Sequence, residues 1–233
     1  MICTVIDIET TGRYKISLGL NNPDYAEILE VSYIRVNSED LSILSHGSLY
    51  FYKPYFCVES QAQEVHGLTR QFLKQYEKDF DKNLIQLHAL MQQTLIVGKN
   101  SDVFDIPFIQ AFLKKHSNGK LNIDAEFEAA KIKTYAGYPA EYTWFYGSYD
   151  IQTIYKNTWK DQVEKMTGSR PSGQRKGSLS EYIDDFPGRR EEVEAIYATL
   201  DKDRVTKAHG ALYDCVMTYV VLKDCVARGL SNE

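Results

Sequence analysis

Two carboxylates, separated by one residue, lie near the amino terminus where an apolar run ends. Asp7 and Glu9 follow the apolar and β-branched stretch 2–6, which predicts a strand buried on both faces. Residues i and i+2 of a strand point to the same face, about 6.6 Å apart along the backbone. Two such carboxylates are costly to bury unless a positive group lies between them, and a pair of divalent ions meets that need. The pattern is common, so taken alone it favours two solvated acids.

A third carboxylate, Asp105, lies where the loop after the apolar segment 95–97 becomes a predicted helix over 105–116. An aspartate at this point is either a helix cap or a site residue, and Asp102 competes for the cap.

A histidine and an aspartate, His209 and Asp214, stand five positions apart near the carboxyl end. Asp214 falls on the inner side of an apolar helix that continues through Val220, and His209 precedes that helix across Gly210. His209 can therefore lie beside a metal site without binding the ion tightly. An imidazole whose pKa lies near neutrality suits a general base.

The elements that position these residues follow from hydrophobic periodicity. Segments 28–36 and 41–52 predict an antiparallel hairpin, and helices are predicted to begin at Ser60, with Gln63 completing a capping box, and at Asp81. This order predicts an α/β fold with a mixed sheet flanked by helices. The remaining predicted elements are a strand at 95–97, a strand or helix beginning near Asp150, and helices at 105–116, 178–185, 190–200 and 211–228.

Composition limits the class of protein. The chain has 233 residues, of which 43% are hydrophobic and 25% charged, so it predicts a globular protein and excludes disordered, collagen-like and coiled-coil classes. The net charge is −5. Broad contact with duplex phosphates is therefore excluded, and contact with nucleic acid should be local: a short strand, a chain end or a metal-bridged phosphate.

Cysteine usage and the absence of targeting signals predict a cytoplasmic protein with no membrane span. The four cysteines form no CxxC pair, which suits a reducing compartment. Neither a signal-peptide pattern nor a membrane-length apolar run occurs.

The acids and the histidine, in this order along the chain, resemble the DEDDh 3′–5′ exonucleases, the DnaQ-like branch of the ribonuclease H-like fold. Segment 5–12, Val-Ile-Asp-Ile-Glu-Thr-Thr-Gly, is similar to the first motif of that family. Segment 65–69, Val-His-Gly-Leu-Thr, is similar to a stretch of bacterial polymerase proofreading subunits, and segment 208–214 is similar to the third motif. The resemblance spans positions 2 to about 226.

The resemblance implies a fold, a reaction and a metal site. The fold is a ribonuclease H-like mixed five-stranded sheet in a single domain, 1–233, with an aromatic-rich insertion at about 120–150. The reaction is 3′–5′ hydrolysis of single-stranded ends, releasing nucleoside 5′-monophosphates. The four carboxylates would bind two Mg²⁺ or Mn²⁺ ions. The histidine would accept the proton of the attacking water. These residues are Asp7, Glu9, Asp105, Asp214 and His209.

The resemblance also implies substrate contacts. The backbone near Thr10, Thr11 and Gly12 would bind the strand, with His66 and Phe104 flanking the terminal base. Asn100 belongs to the same set.

The preferred substrate is DNA, but Asn100 and Asp105 are five positions apart, as in oligoribonucleases. An exoribonuclease resembling oligoribonuclease or RNase T therefore stays an alternative. A binding module that kept the fold and lost catalysis is the alternative from another class. A polymerase or repair partner would be a separate protein that the sequence does not identify.

Overall fold

The computed structural model describes residues 2–12, 26–92, 94–102, 104–121, 123, 148–152, 164, 168–169, 177–184, 187–201 and 210–227. Its strands are β1 (Ile2–Thr10), β2 (Ile28–Asn37), β3 (Ile43–Tyr50), β4 (Leu95–Gly98) and β5 (Ser148–Asp150). Its helices are α1 (Ser60–His66), α2 (Arg70–Lys74), α3 (Phe80–Leu90), α4 (Asp105–His116), α5 (Leu179–Asp184), α6 (Arg189–Leu200) and α7 (Ala211–Ala227), with a 3₁₀ turn at Glu77–Asp79.

The strands form one mixed sheet, which confirms the predicted fold class. The strand order is β3-β2-β1-β4-β5, so β1 is central. The β1–β2 and β2–β3 pairs are antiparallel, whereas β1–β4 and β4–β5 are parallel. The strands β1, β3, β4 and β5 therefore run in the same direction and end at the same edge of the sheet.

Each face of the sheet covers its own apolar cluster, because alternate residues of a strand point to opposite faces. Ile6 and Ile8 of β1 pack in the cluster that includes Leu87 of α3. Val5, which precedes Ile6 and points to the opposite face, packs in the cluster that includes Val216 of α7. Both faces of β1 are thus covered, as its nearly continuous apolar sequence predicts.

Two local predictions were wrong, and one short helix was not predicted. The capping box is absent: Glu59, not Ser60, precedes the first turn of α1, and the Glu59 side chain makes no capping hydrogen bond with the described residues. The third strand begins at Ile43, because Leu41 adopts a φ of 56° and its N–H closes a turn onto the Asn37 carbonyl at 2.9 Å. Helix α2 was not predicted; at five residues it is too short to show a periodic pattern.

The short helix predicted near 125–130, and most of the 120–150 insertion, lie outside the described residues. In the part of the chain that the structure covers, no helix is long and apolar enough to cross a membrane.

Candidate active site

The end of β1 carries the first two acids. Asp7 pairs with Ser32 of β2, and Glu9 pairs with Glu30 of the same strand. The pairing register then shifts between Glu9 and Thr10, an irregularity of the kind that bends a strand beside a functional site. Asp7 and Glu9 lie on the sheet face that α7 covers, since they share the alternation of Val5.

The third acid opens α4. Phe104 precedes the helix and Asp105 is its first residue, so the predicted strand–loop–helix arrangement is confirmed. Asp105 is 3% exposed. The loop is tightened by a 3.0 Å hydrogen bond from the Ile106 N–H to the Ser101 carbonyl. Because the positive end of a helix dipole favours a nearby anion, this position stabilises a charged carboxylate.

The fourth acid, Asp214, lies in the first turn of α7, where its N–H donates to the Gly210 carbonyl at 3.3 Å. Its partner in the sequence motif, His209, lies outside the described residues. Helix α7 is buried along most of its length against the sheet, which carries Asp214 toward the end of β1.

The four carboxylates lie close enough together for their charges to act on the pKa values of Asp7 and Glu9. Burial raises the pKa of Asp7 well above its usual range, and the negative charges of Asp214, Asp105, Glu9 and Glu30 raise it further, in that order. Burial also raises the pKa of Glu9 to about 8, with contributions from the charges of Glu30, Asp214 and Asp105. Acids far apart in the sequence therefore share one electrostatic environment.

Asp105 belongs to the same environment but is better compensated. Burial raises its pKa to about 7, and the charge of Asp150 adds to the increase. Hydrogen bonds with the backbone N–H groups of Asp105 and Ile8, and the nearby cation of Lys99, act in the opposite direction. The Ile8 contact connects α4 directly to β1 between the two acids of the first motif.

The chemistry of this donor set fits a divalent cation. The cluster offers carboxylate oxygens, which are the ligands that Mg²⁺ and Mn²⁺ prefer. The negative charges of these carboxylates repel each other, and a bound cation would reduce that repulsion. Among the described residues, no three His, Cys, Asp or Glu side chains are close enough together to form a ready ligand group. The four acids are therefore adjacent without enclosing a coordination sphere in this arrangement.

The loop after β1 is held by hydrogen bonds within the protein. The Thr11 N–H donates to the Glu27 carbonyl, the Thr11 hydroxyl accepts from the Glu27 N–H, and the Thr11 carbonyl accepts from the Glu59 N–H, each at 2.8 Å. The Thr10 hydroxyl donates to the Gly12 carbonyl at 2.7 Å. Thr11 is thus an anchor of the loop, because its backbone N–H and its carbonyl are both hydrogen-bonded within the protein.

His66 lies beside this loop at the end of α1. It is 8% exposed, and its Nδ1 accepts a hydrogen bond from the Leu68 N–H at 3.0 Å. Burial lowers its pKa, while the backbone carbonyl of Thr10 acts in the opposite direction. The ring is therefore neutral near pH 7 with its proton on Nε2, a hydrogen-bond donor next to the predicted strand-binding loop.

Asn100 and Phe104 flank the loop between β4 and α4. Asn100 adopts a φ of 62°, a conformation that asparagine tolerates, and its N–H donates to Asp150 Oδ1 at 2.9 Å. The Phe104 ring packs 5.0 Å from that of Phe108 at the border of the core. The structure thus places both predicted substrate residues beside Asp105.

Two acids of this region were missed by sequence reasoning. Asp150, buried at the end of β5, binds the N–H groups of Asn100 and Gln152 at 2.9 Å each. Glu30 is 1% exposed in β2 opposite Glu9. The one available signal for Glu30 was a charged residue within an apolar run, since Leu29 precedes it and Val31 follows.

Comparisons with known proteins agree with this arrangement. Residues 4–157 match the model of the RNase T family, described as exonuclease. No curated protein matches the chain. Escherichia coli exonuclease I bound to a dT13 oligonucleotide is similar in structure, with a TM-score of 0.60 and 17% identity over 98% of this chain and 42% of that one.

Two further solved structures are similar. The zinc-bound form of the E. coli exonuclease I complex with single-stranded DNA has a TM-score of 0.55 and 17% identity over 99% of this chain and 41% of that one. A 3′-exonuclease that recognises the histone mRNA stem-loop has a TM-score of 0.56 and 14% identity over 98% of this chain and 64% of that one. The chain thus spans under two thirds of each of these relatives. At this identity they show the fold, that of the DnaQ-like exonucleases, while the family match shows membership: the chain belongs to the RNase T exonuclease family.

Proposed function

We propose that this chain is a metal-dependent 3′–5′ exonuclease that releases nucleoside 5′-monophosphates from single-stranded DNA ends, and that residues 1–233 form one exonuclease domain. The observation that carries the proposal is the convergence of Asp7, Glu9, Asp105 and Asp214 at one edge of the sheet, where the charges of Asp105 and Asp214 raise the pKa values of both Asp7 and Glu9. Membership in an exonuclease family supports the reaction class.

The residues divide the work between ion binding, proton transfer and strand binding. The four carboxylates would hold two Mg²⁺ or Mn²⁺ ions, which supply a water of lowered pKa and charge stabilisation at the leaving oxygen. His209 accepts the proton of the attacking water. The loop of Thr10, Thr11 and Gly12 and the Nε2–H of His66 contact the terminal nucleotide. Asn100 and Phe104 border the other side of the same position.

The first test is a nuclease assay on a single-stranded DNA oligonucleotide labelled at either end. With Mg²⁺, we expect mononucleotide release from the 3′ end, which EDTA stops. Asp7→Ala should abolish release, while Asp81→Ala, which removes an exposed acid on α3, serves as the matched control and should retain it. Degradation of a circular single strand would contradict the exonuclease assignment. Oligonucleotide binding with no hydrolysis would favour a silent binding module.

An exoribonuclease is the second candidate. The spacing of Asn100 and Asp105 supports it, and one similar structure is a 3′-exonuclease that recognises RNA. Digestion of DNA and RNA oligonucleotides of the same sequence, side by side, separates the two substrates. Faster hydrolysis of the RNA oligonucleotide at equal enzyme concentration would mean that the preferred substrate is RNA.

A further inference from the structure

Glu30 is a buried acid directly beside the proposed metal site. It pairs with Glu9 across the antiparallel β1–β2 ladder and with Tyr50 on its other side. Directly opposite residues of an antiparallel pair project to the same face, with Cα atoms about 4.5–5.5 Å apart. Glu30 therefore extends the row of carboxylates sideways across the sheet, from the central strand toward the edge strand β3.

Hydroxyl groups hold one oxygen of Glu30. The Ser32 Oγ donates to Glu30 Oε1 at 2.9 Å and lies 2.6 Å from the Ser48 Oγ. The Ser32 backbone carbonyl accepts from the Cys215 thiol at 3.3 Å, and Cys215 follows the acid Asp214 on α7. This network connects β2 and β3 and reaches the helix that carries the fourth acid.

The other oxygen of Glu30 has no such support. Oε2 is buried, and among the described residues it has no hydrogen-bond partner. The hydroxyls of Ser32, Ser48 and Tyr50 offset part of the cost of burying this carboxylate, whereas an apolar side chain at this position would avoid that cost altogether. The hydroxyl network fixes the acid in place while Oε2 stays available on the face that it shares with Glu9.

We propose that Glu30 is a positioning residue of the metal site: its Oε2 accepts hydrogen bonds from the hydrated cation that Glu9 holds, and its charge adds to the attraction of that cation. Mg²⁺ keeps several of its water ligands when it binds to proteins, so a hydrogen-bond acceptor outside the direct ligands can hold those waters in place. This inference rests on the proposed metal-dependent function and adds a fifth carboxylate to the four of the motifs.

The test measures metal binding itself. Mg²⁺ and Mn²⁺ are titrated calorimetrically into the parent and into Glu30→Gln, which keeps the shape and an acceptor for Ser32. Loss of an outer-shell partner typically weakens metal binding about 10–100-fold, and we expect a decrease in this range. Glu39→Gln is the matched control, because it removes an exposed acid from the turn at the far end of β2 and should bind as the parent does.

A second variant separates metal binding from folding. Ser48→Ala keeps the Glu30 charge and loosens the network, so it should weaken metal binding by a smaller factor than Glu30→Gln. Parental affinity in a folded Glu30→Gln, or in Ser48→Ala if Glu30→Gln does not fold, overturns this inference and leaves the proposed function intact. A parent that binds neither ion overturns the proposed function, and this inference with it.

Discussion

Raising the pH should destabilise the metal-free protein, the reverse of what ordinary surface acids do. Glu9 has a pKa of about 8 and Asp105 of about 7 in the fold, against ordinary values of 4.5 and 3.8. Between the ordinary and the raised pKa the folded state binds more protons than the unfolded state, so the free energy of unfolding falls as pH rises. The stability present below about pH 4 is lost progressively up to about pH 8.

The magnitude follows from the same values. For Glu9 the window spans about 3.5 pH units, and each unit corresponds to about 1.4 kcal/mol, which gives an upper limit of about 5 kcal/mol. Asp105 alone gives about 4 kcal/mol. The two acids share part of the same repulsion and Glu9 is partly exposed, so we expect about 3–5 kcal/mol for the pair. For a chain of this size that lowers Tm by about 6–20 °C.

The assay is urea unfolding followed by circular dichroism at pH 5 to 9, in EDTA and in excess Mg²⁺. In EDTA the free energy of unfolding should fall by the amount given above, and Mg²⁺ should restore most of it at pH 8, because the cation stabilises the ionised carboxylates. Asp105→Asn should flatten the EDTA profile, since one of the repelling charges is gone. A free energy that stays within about 1 kcal/mol from pH 5 to 9 in EDTA would refute the crowding of these acids.

The remaining predictions concern catalysis, the loop and the core. His209→Ala should lose about 10²–10⁴-fold in turnover while calorimetric metal binding is unchanged, and near-parental turnover at neutral pH would remove His209 from the mechanism. Glu27 is buried and bound by His116 and Lys115, which on balance lower its pKa although burial raises it. Glu27→Gln should therefore lower the free energy of unfolding by about 2–4 kcal/mol at pH 7, measured by urea unfolding. The difference between variant and parent should become smaller as the pH falls through the usual carboxyl range, and a difference that does not change with pH would contradict the ion pair. Leu87→Ala, at 0% exposure, should cost about 2–5 kcal/mol in the same measurement, and a cost below 1 kcal/mol would mean that α3 packs loosely.

Much of the site was predictable because its signals are local. The apolar stretch before Asp7 specifies a buried strand wherever that strand pairs, and the start of α4 at Asp105 follows from periodicity after a short apolar segment. The inner position of Asp214 follows from the spacing of apolar residues along one helix. Each signal spans about a dozen residues or fewer, which is the range over which backbone periodicity acts.

The convergence of these acids was decided by the tertiary structure. β1 and β4 are parallel, so Asp7 and the loop that leads to Asp105 meet at one edge of the sheet, although about 100 residues separate them in sequence. Strand pairing joins distant segments, and no local pattern specifies which edge they share. The raised pKa values of the acids arise only after that pairing and burial.

The pairing of the strands also decided the positions of Glu30 and Asp150. Glu30 faces Glu9 because β2 pairs with β1 in one alignment, and a slip of one residue would move it to the opposite face of the sheet. Asp150 supports Asn100 because β5 adds to β4 in parallel, which brings the end of β5 to the loop before α4. In the sequence, Glu30 is only a charged residue inside an apolar run, and Asp150 is only a charged residue after a short strand. The role of each acid depends on neighbours that other strands supply, so the sequence alone could not predict it.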